Sequence, residues 1–326
     1  KTMNGSESIV EVKNLTITDS TTDRVIASNI SFELKKGEIL GFVGESGSGK
    51  TLSMKTVVNL LPSNLVAKSD KFIVLGNDYN EISENAKKAL IGKNIGLVPQ
   101  NTVFYLHPMF KIKNQIADGY MLYNKKKKSE GIERAKEKLR IVGFKDPDRI
   151  LESYPWQLSG GMRQRVNIAL ALMNDPQIII ADEPTTALDS TLQAQVLDLF
   201  KSINEKTGVS IVIISHDLGV IRKYCHRIAV MYAGQILESA PADEIFENAR
   251  HPYTKALIRV IPSLNIKKDE RLMEIPGFVP EKNRERKECI FKKRCSEADE
   301  RCNGDVKEGT EGLHYCKCSK YCGGEV

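Results

Sequence analysis

Residues 38–51 read EILGFVGESGSGKT, and this stretch restricts the fold more tightly than any other in the chain. Ile39 to Val43 is an apolar, strand-like run, a glycine-rich turn follows, and KTLSMKTVVNLL then carries apolar residues at helical spacing. Gly44, Gly49, Lys50 and Thr51 satisfy the pattern G-x-x-x-x-G-K-[ST] in the strand, loop and helix context that it requires. Across Gly44, Glu45, Ser46, Gly47, Ser48 and Gly49, the glycines let backbone N–H groups close around phosphate oxygens. The helix N-terminus adds a favourable dipole. Lys50 can reach the β and γ phosphates, and the Thr51 hydroxyl can ligate Mg²⁺. A nucleoside triphosphate with its metal fits this loop.

Two further apolar runs end in polar residues. QIIIADEP, residues 177–184, reads as a buried parallel strand that finishes on two acids. Ligands of open α/β sheets bind at the carboxyl ends of the strands. Asp182 is therefore suited to holding Mg²⁺ directly or through water, and Glu183 to polarising the attacking water. VSIVIISHD ends the same way at His216, which could contact the γ-phosphate, although such a histidine taken alone is more often a capping or core residue. LSGGMRQRVNIALAL, residues 158–172, places Ser159, Gly160 and Gly161 at the start of an amphipathic helix. That is a second anion-binding helix terminus, and two of them suggest two faces of a sandwich.

With this last segment the chain resembles the ATP-binding cassette (ABC) family, whose signature is LSGGQ. Here Met162 takes the glutamine position and Gln164 follows two residues later, the variant typical of transporters for peptides and related solutes. In chain order the resemblance runs through the phosphate loop Gly44 to Thr51, Gln100 in IGLVPQN as the Q-loop, and the signature. It continues through Asp182 and Glu183, ALD at 187–189 as the D-loop, and His216 as the switch histidine. It implies that Thr51, Gln100 and Asp182 hold Mg²⁺, and that Ser159 to Gly161 face the ATP of a second subunit. There is one departure: LTITDSTTD, where the family usually carries an aromatic that stacks on adenine, has none.

The implied fold class is α/β, an ABC-type nucleotide-binding domain over residues 6–245 with a RecA-like parallel core. Residues 8–35 alternate apolar and polar, which fits an antiparallel β subdomain. A helical subdomain is expected at about 101–173, with SEGIERAKEKLRIVGF its clearest amphipathic stretch. In the family this part grips a membrane subunit. RIAVMYAGQILESA, residues 227–240, reads as a hairpin around Ala233 and Gly234.

Residues 246–326 form an extension. HPYTKALIRVIPSL, residues 251–264, a basic linker and a cysteine-rich segment resemble the C-terminal extension of oligopeptide and dipeptide permease ATPases. Residues 101–116 resemble the corresponding segment after the Q-loop. Six of the chain's seven cysteines fall at Cys289, Cys295, Cys302, Cys316, Cys318 and Cys322. In a reducing compartment such a cluster points to metal rather than to a disulfide framework. The first three lack the C-x₂₋₄-C knuckles usual for structural zinc. The resembling ATPases associate a C-x₅-C-x₆-C segment and a later cysteine with a 4Fe–4S cluster. This implies Cys289, Cys295, Cys302 and Cys318 as ligands, with Cys316 the rival fourth. Cys322 reads as a free tail thiol and Cys225 as a small core residue.

Composition limits the partners. No apolar run approaches the ~20 residues of a membrane-spanning helix, and the N-terminal residues lack the pattern of a signal peptide. The expected place is the cytoplasmic face of the cell membrane, held peripherally. Net charge is +6, and Lys125 to Lys128, without interleaved aromatics, reads as a solvated loop, so no nucleic-acid partner is expected. The resemblance implies an ATPase subunit of a dipeptide or oligopeptide importer, driven by ATP-dependent dimer closure. Its partners would be a second ATPase subunit, identical or paralogous, two transmembrane permease subunits and, indirectly, an extracytoplasmic peptide-binding protein. Nickel or another small solute, or a non-transport regulatory ATPase with a redox-sensing cluster, are the alternatives. Every phosphate and Mg²⁺ ligand precedes residue 217, so basal ATPase activity is expected to survive loss of the cluster unless the tail helps the two subunits associate.

Overall fold

The computed structural model describes residues 7–100, 105–186, 188–261, 275–280 and 288–321. The strands are β1 (Ser8–Asp19), β2 (Arg24–Lys35), β3 (Ile39–Val43), β4 (Leu65–Lys68), β5 (Lys71–Val74), β6 (Asn77–Asp78) and β7 (Ile95–Val98). They continue as β8 (Ile178–Asp182), β9 (Ser210–Ser215), β10 (Arg227–Tyr232), β11 (Gln235–Pro241), β12 (Glu308–Glu311) and β13 (His314–Lys317). The chain divides into two compact units. The first takes Glu7, Lys35–Ile39 and Glu81–Ile214, and the second takes Ser8–Leu34, Leu40–Asn80 and the residues from Ser215 onward.

In the first unit β7, β8 and β9 pair in parallel, with Ile95 opposite Ile178 and Ile178 opposite Ser210. Their continuous apolar runs suit strands buried on both faces, and β8 is buried until it reaches Asp182 at its carboxyl end. The helix Lys128–Ile141 is one-sided as its periodicity predicts, burying Gly131, Ala135 and Leu139. The helix Gly160–Ala171 is not. Val166, Asn167, Ile168 and Ala169 are all buried, because the helix packs against β7, Lys128–Ile141 and Ser190–Thr207. Gly96 permits the closest of these approaches, since a Cβ there would stand 2.5 Å from the Ala171 carbonyl oxygen. Lys125 to Lys128 are exposed between two helices, and Lys126 pairs with Glu130 at 2.8 Å.

In the second unit β1 pairs antiparallel with β4 and β5, and the sheet runs β2-β1-β5-β6. A second set of strands runs β12-β13-β11-β10-β3. β10 lies parallel to β3, and β10 and β11 form the predicted hairpin, with Ala233 and Gly234 at φ 45° and 86°. Two successive left-handed residues match the right-handed twist of a two-residue hairpin. β13 adds to the far edge of β11, Cys316 standing opposite Glu238. The cysteine-rich tail therefore extends the strand set that carries the phosphate loop. Cys225 is buried, its sulfur against the Gly41 backbone, as a core residue. Residues 101–104, Ala187, most of the basic linker and Cys322 lie outside the described residues.

Candidate nucleotide site and cysteine segment

The phosphate loop leaves β3 at Gly44. A Cβ at that position would lie 2.0 Å from the Met231 carbonyl oxygen of β10, so only glycine lets the chain turn here. Because the obstacle is backbone, Gly44→Ala should destabilise the protein by about 3 kcal/mol, the upper end of ordinary single substitutions. Chemical denaturation measures it, and a loss below about 0.5 kcal/mol would refute the packing argument. Gly47 and Gly49 take φ of 76° and 100°, which other residues rarely adopt. Lys50 is buried, and its ammonium donates to the Gly44 carbonyl at 2.7 Å, the Glu45 carbonyl at 3.0 Å and Ser48 Oγ at 3.3 Å. The loop thus curls around one cation. Thr51 lies in the first turn of the helix Lys50–Val57. His216 is exposed just after β9, beside Asp217, which caps the next helix.

In the first unit Asp182 ends β8 and Glu183 follows at φ 44°, a left-handed conformation that costs a non-glycine residue of order 1–3 kcal/mol. Three bonds hold it there. Its N–H donates to the Ile214 carbonyl at 3.0 Å, and its carboxylate accepts from Gln100 Nε2 at 2.7 Å and Thr186 Oγ1 at 2.9 Å. Gln100 and Glu183, 83 positions apart, thus meet directly. The Gln100 amide donates through Nε2 to Glu183, and its Oε1 can act only as an acceptor. Ser159 caps the helix Gly160–Ala171, its Oγ accepting from the Met162 N–H at 3.3 Å. Gly161 is buried so close to Leu192 that a Cβ would come within 3.2 Å. Asp189 caps the helix Ser190–Thr207 through the Leu192 N–H.

The tail holds residues that sequence reasoning missed. His251 caps the helix Pro252–Val260, its Nδ1 accepting from the Tyr253 N–H at 3.0 Å, and Pro252 occupies the first turn, where no backbone donor is needed. Glu238 on β11, fully buried, accepts from the Arg250 and His251 N–H groups and touches His314 Nε2 at 2.7 Å. Burial works to raise its pKa, but His314 and those two N–H groups outweigh it and hold the carboxyl below its usual range. Tyr253 reaches back to the phosphate loop, where its hydroxyl accepts from the Glu45 N–H at 3.1 Å. Tyr232, Tyr253 and Phe291 pack as an aromatic cluster, tilted or edge to face, with centroids 4.7 to 5.2 Å apart. Arg294, between Cys289 and Cys295, donates to both Glu45 carboxylate oxygens, at 3.0 and 3.1 Å. The tail is therefore in contact with the phosphate loop. The first cysteine loop carries three basic residues, Lys292, Lys293 and Arg294, and nothing local singles out Arg294.

Burial lowers the pKa of His251 from 6.5 to about 4. Its Nδ1 already accepts the capping N–H, so a proton there breaks the cap. A depressed folded-state pKa contributes stability that is complete above pH 6.5 and is lost as pH falls towards 4. The loss should reach roughly 3 kcal/mol. His251→Asn keeps a capping acceptor without the titration, and urea denaturation from pH 7 to 4 should be flatter for it. Equal slopes for the two proteins would exclude His251 as the cause.

Among the cysteines, Cys289, Cys295, Cys302 and Cys318 are free and at least half-buried, whereas Cys316 is disulfide-bonded. Burial, with the Cys302, Cys318 and Cys295 thiols nearby, pushes Cys289 up to about 11. Cys295 rises for the same reason, with Cys302 and Cys318 again among its neighbours. The Cys289 N–H donates to the Cys302 carbonyl at 3.2 Å. Among the described residues, no three His, Cys, Asp or Glu side chains stand where one metal ion could bind them all.

A lysine-bearing, glycine-rich phosphate loop running from the end of a parallel strand into a helix is the mark of a P-loop nucleoside triphosphatase. The sequence matches the ABC transporter family over residues 27–186 and the oligopeptide/dipeptide transporter C-terminal region over 237–302. It is 41% identical over 278 residues to the dipeptide transport ATP-binding protein DppD of Escherichia coli (strain K12), covering 85% of this chain and 84% of that one. It is also 41% identical over 276 residues to the oligopeptide transport ATP-binding protein OppD of Bacillus subtilis (strain 168), covering 84% and 77%. Among solved structures it resembles the ATP-binding cassette MJ0796, a dimer in a post-hydrolysis state bound to ADP and Pi. That match has TM-score 0.61 at 29% identity and covers 72% of this chain and 98% of that one. The chain belongs to the ABC transporter family of ATP-binding proteins. No helix among the described residues is long and apolar enough to cross a membrane.

Proposed function

We propose that this chain is the ATP-hydrolysing subunit that powers import of dipeptides or oligopeptides through an ABC transporter. The observation that carries this reading is the similarity to dipeptide and oligopeptide transport ATP-binding proteins, which extends into the C-terminal region. Lys50 and the loop N–H groups from Gly44 to Gly49 bind the triphosphate. Thr51, Asp182 and Gln100 would hold Mg²⁺, which would supply charge neutralisation at the phosphates. Glu183 takes the proton of the attacking water, and His216 contacts the γ-phosphate. Ser159, Gly160 and Gly161 address the nucleotide of a second ATPase subunit, as a dimer of the kind seen for MJ0796 would allow. Residues 6–245 then make the ATPase domain and 246–326 its extension. The helical part near 101–173, where Met109 and Phe110 are exposed, meets the permease at the cytoplasmic face of the membrane.

The same reading assigns Cys289, Cys295, Cys302 and Cys318 to a 4Fe–4S cluster. Each thiolate of such a cluster binds a different iron, so the four need not converge on one ion as a zinc site demands. Four free thiols close enough to perturb one another fit that donor set, and the disulfide at Cys316 favours Cys318 as the fourth.

The test is uptake of a labelled dipeptide and a labelled tetrapeptide by cells lacking the gene. Wild-type chain should restore uptake and Lys50→Ala should not. Uptake of both peptides unchanged by the deletion, with nickel uptake lost, would replace the substrate class while leaving the ATPase.

A further inference from the structure

Arg294 is buried, yet it belongs to neither the nucleotide ligands nor the thiols. Every branch of its guanidinium is occupied. Nε donates to the Pro276 carbonyl at 2.7 Å, Nη2 to the Ile275 carbonyl at 3.0 Å, and Nη1 to Glu45 and, at 3.4 Å, to the Tyr232 hydroxyl. Three of these four partners are neutral and the fourth is a carboxylate of the phosphate loop itself. Glu45 follows Gly44 directly and is gripped twice, Arg294 holding its side chain while Tyr253 takes its N–H.

A carboxylate in a phosphate-binding loop opposes its ligand. The nucleotide brings several negative charges to a loop where low-dielectric surroundings enlarge every repulsion. Arg294 Nη1 cancels the Glu45 charge by donating to both its oxygens, while Nε and Nη2, held by the Pro276 and Ile275 carbonyls, fix where the guanidinium lies. The placement of Arg294 depends in turn on the cysteine loop. It sits one residue before Cys295, and its N–H donates to the Phe291 carbonyl at 2.9 Å, inside the turn that Cys289 opens.

We propose that Arg294 is a positioning residue for the phosphate loop, neutralising and orienting Glu45, and that the Cys289–Cys295 turn thereby sets nucleotide affinity. This rests on the assignment of Gly44 to Thr51 as the ATP site. Arg294 does not reach the reacting atoms, so it should act on binding and leave turnover at saturation alone.

Calorimetric titration of the full chain with Mg-ATP at fixed salt, paired with steady-state hydrolysis, tests it. Arg294→Gln should raise Kd and KM about ten- to a hundredfold, the range for one charge-assisted hydrogen bond, with kcat unchanged. Arg294→Lys, which keeps the charge without the nitrogens that hold the Pro276 and Ile275 carbonyls, should lie between, and it carries the comparison where the neutral variant does not fold. Removing the carboxylate should remove the need for its partner, so Glu45→Gln with Arg294→Gln should bind ATP more tightly than Arg294→Gln alone. A purely structural arginine gives no such rescue. Cys295→Ser should weaken ATP binding in the wild-type background and add nothing to Arg294→Gln. The proposal is overturned by wild-type affinity in the arginine variants, by a double variant no tighter than Arg294→Gln, or by an additive Cys295→Ser effect. Binding indifferent to Lys50→Ala would instead remove the ATP site on which the inference stands.

Discussion

Glu183→Gln should leave Mg-ATP bound while hydrolysis falls by about 10² to 10⁴, the contribution expected of a general base. The amide keeps the size of the carboxylate and can still accept from Gln100 and Thr186, the two donors that hold it. What it loses is the capacity to take a proton. The left-handed backbone at Glu183 strengthens the case, because such strain persists where surrounding structure over-determines it and concentrates at functional sites. Binding measured by filter retention and phosphate release measured in parallel separate the two effects. Wild-type turnover in this variant would remove Glu183 from the role, whereas loss of binding as well would place it among the nucleotide contacts.

The second large effect concerns iron. Protein purified without oxygen should be brown and carry about four irons per chain. Cys289→Ser, Cys295→Ser, Cys302→Ser and Cys318→Ser should each lose them. Cys316→Ser should keep them, since its sulfur is already bonded in the disulfide. Iron loss should also raise the KM for ATP, because Arg294 stands inside the first cysteine loop and holds Glu45. A colourless anaerobic preparation with stoichiometric zinc would sink the cluster and leave the family assignment intact.

Local patterns carried most of what could be read in advance. The phosphate loop is contiguous, so its glycines, Lys50 and Thr51 declare strand, turn and helix together. The runs ending at Asp182 and Ser215 are buried parallel strands whose apolar content needs no partner to be recognised. The hairpin at Ala233 and Gly234 announces its own turn. Longer-range facts were not legible. The helix Gly160–Ala171 carries enough polar residues to suggest a solvent face, but packing on three elements buries Gln164 and Asn167. The bond from Arg294 to Glu45 spans 249 positions, and no periodicity relates them. The bond from the Glu45 N–H to the Tyr253 hydroxyl joins residues 208 positions apart, and no local pattern relates them.

The second unit is discontinuous, and that has a bearing on how the protein is made. Its antiparallel strands before residue 80 pair among themselves, but β3 must wait for β10, which leaves the ribosome only after residue 214. At 5 to 20 residues per second, the interval between synthesis of Glu45 and of Arg294 is roughly 10 to 50 s. Residues 81–214 form a largely continuous unit that can collect its own parallel strands meanwhile. The phosphate loop would be translated early and finished last, because Tyr253 and Arg294, which hold Glu45, come from late in the chain. Substitutions that weaken the tail should therefore appear first as loss of yield during synthesis, before any change in the purified enzyme is measured.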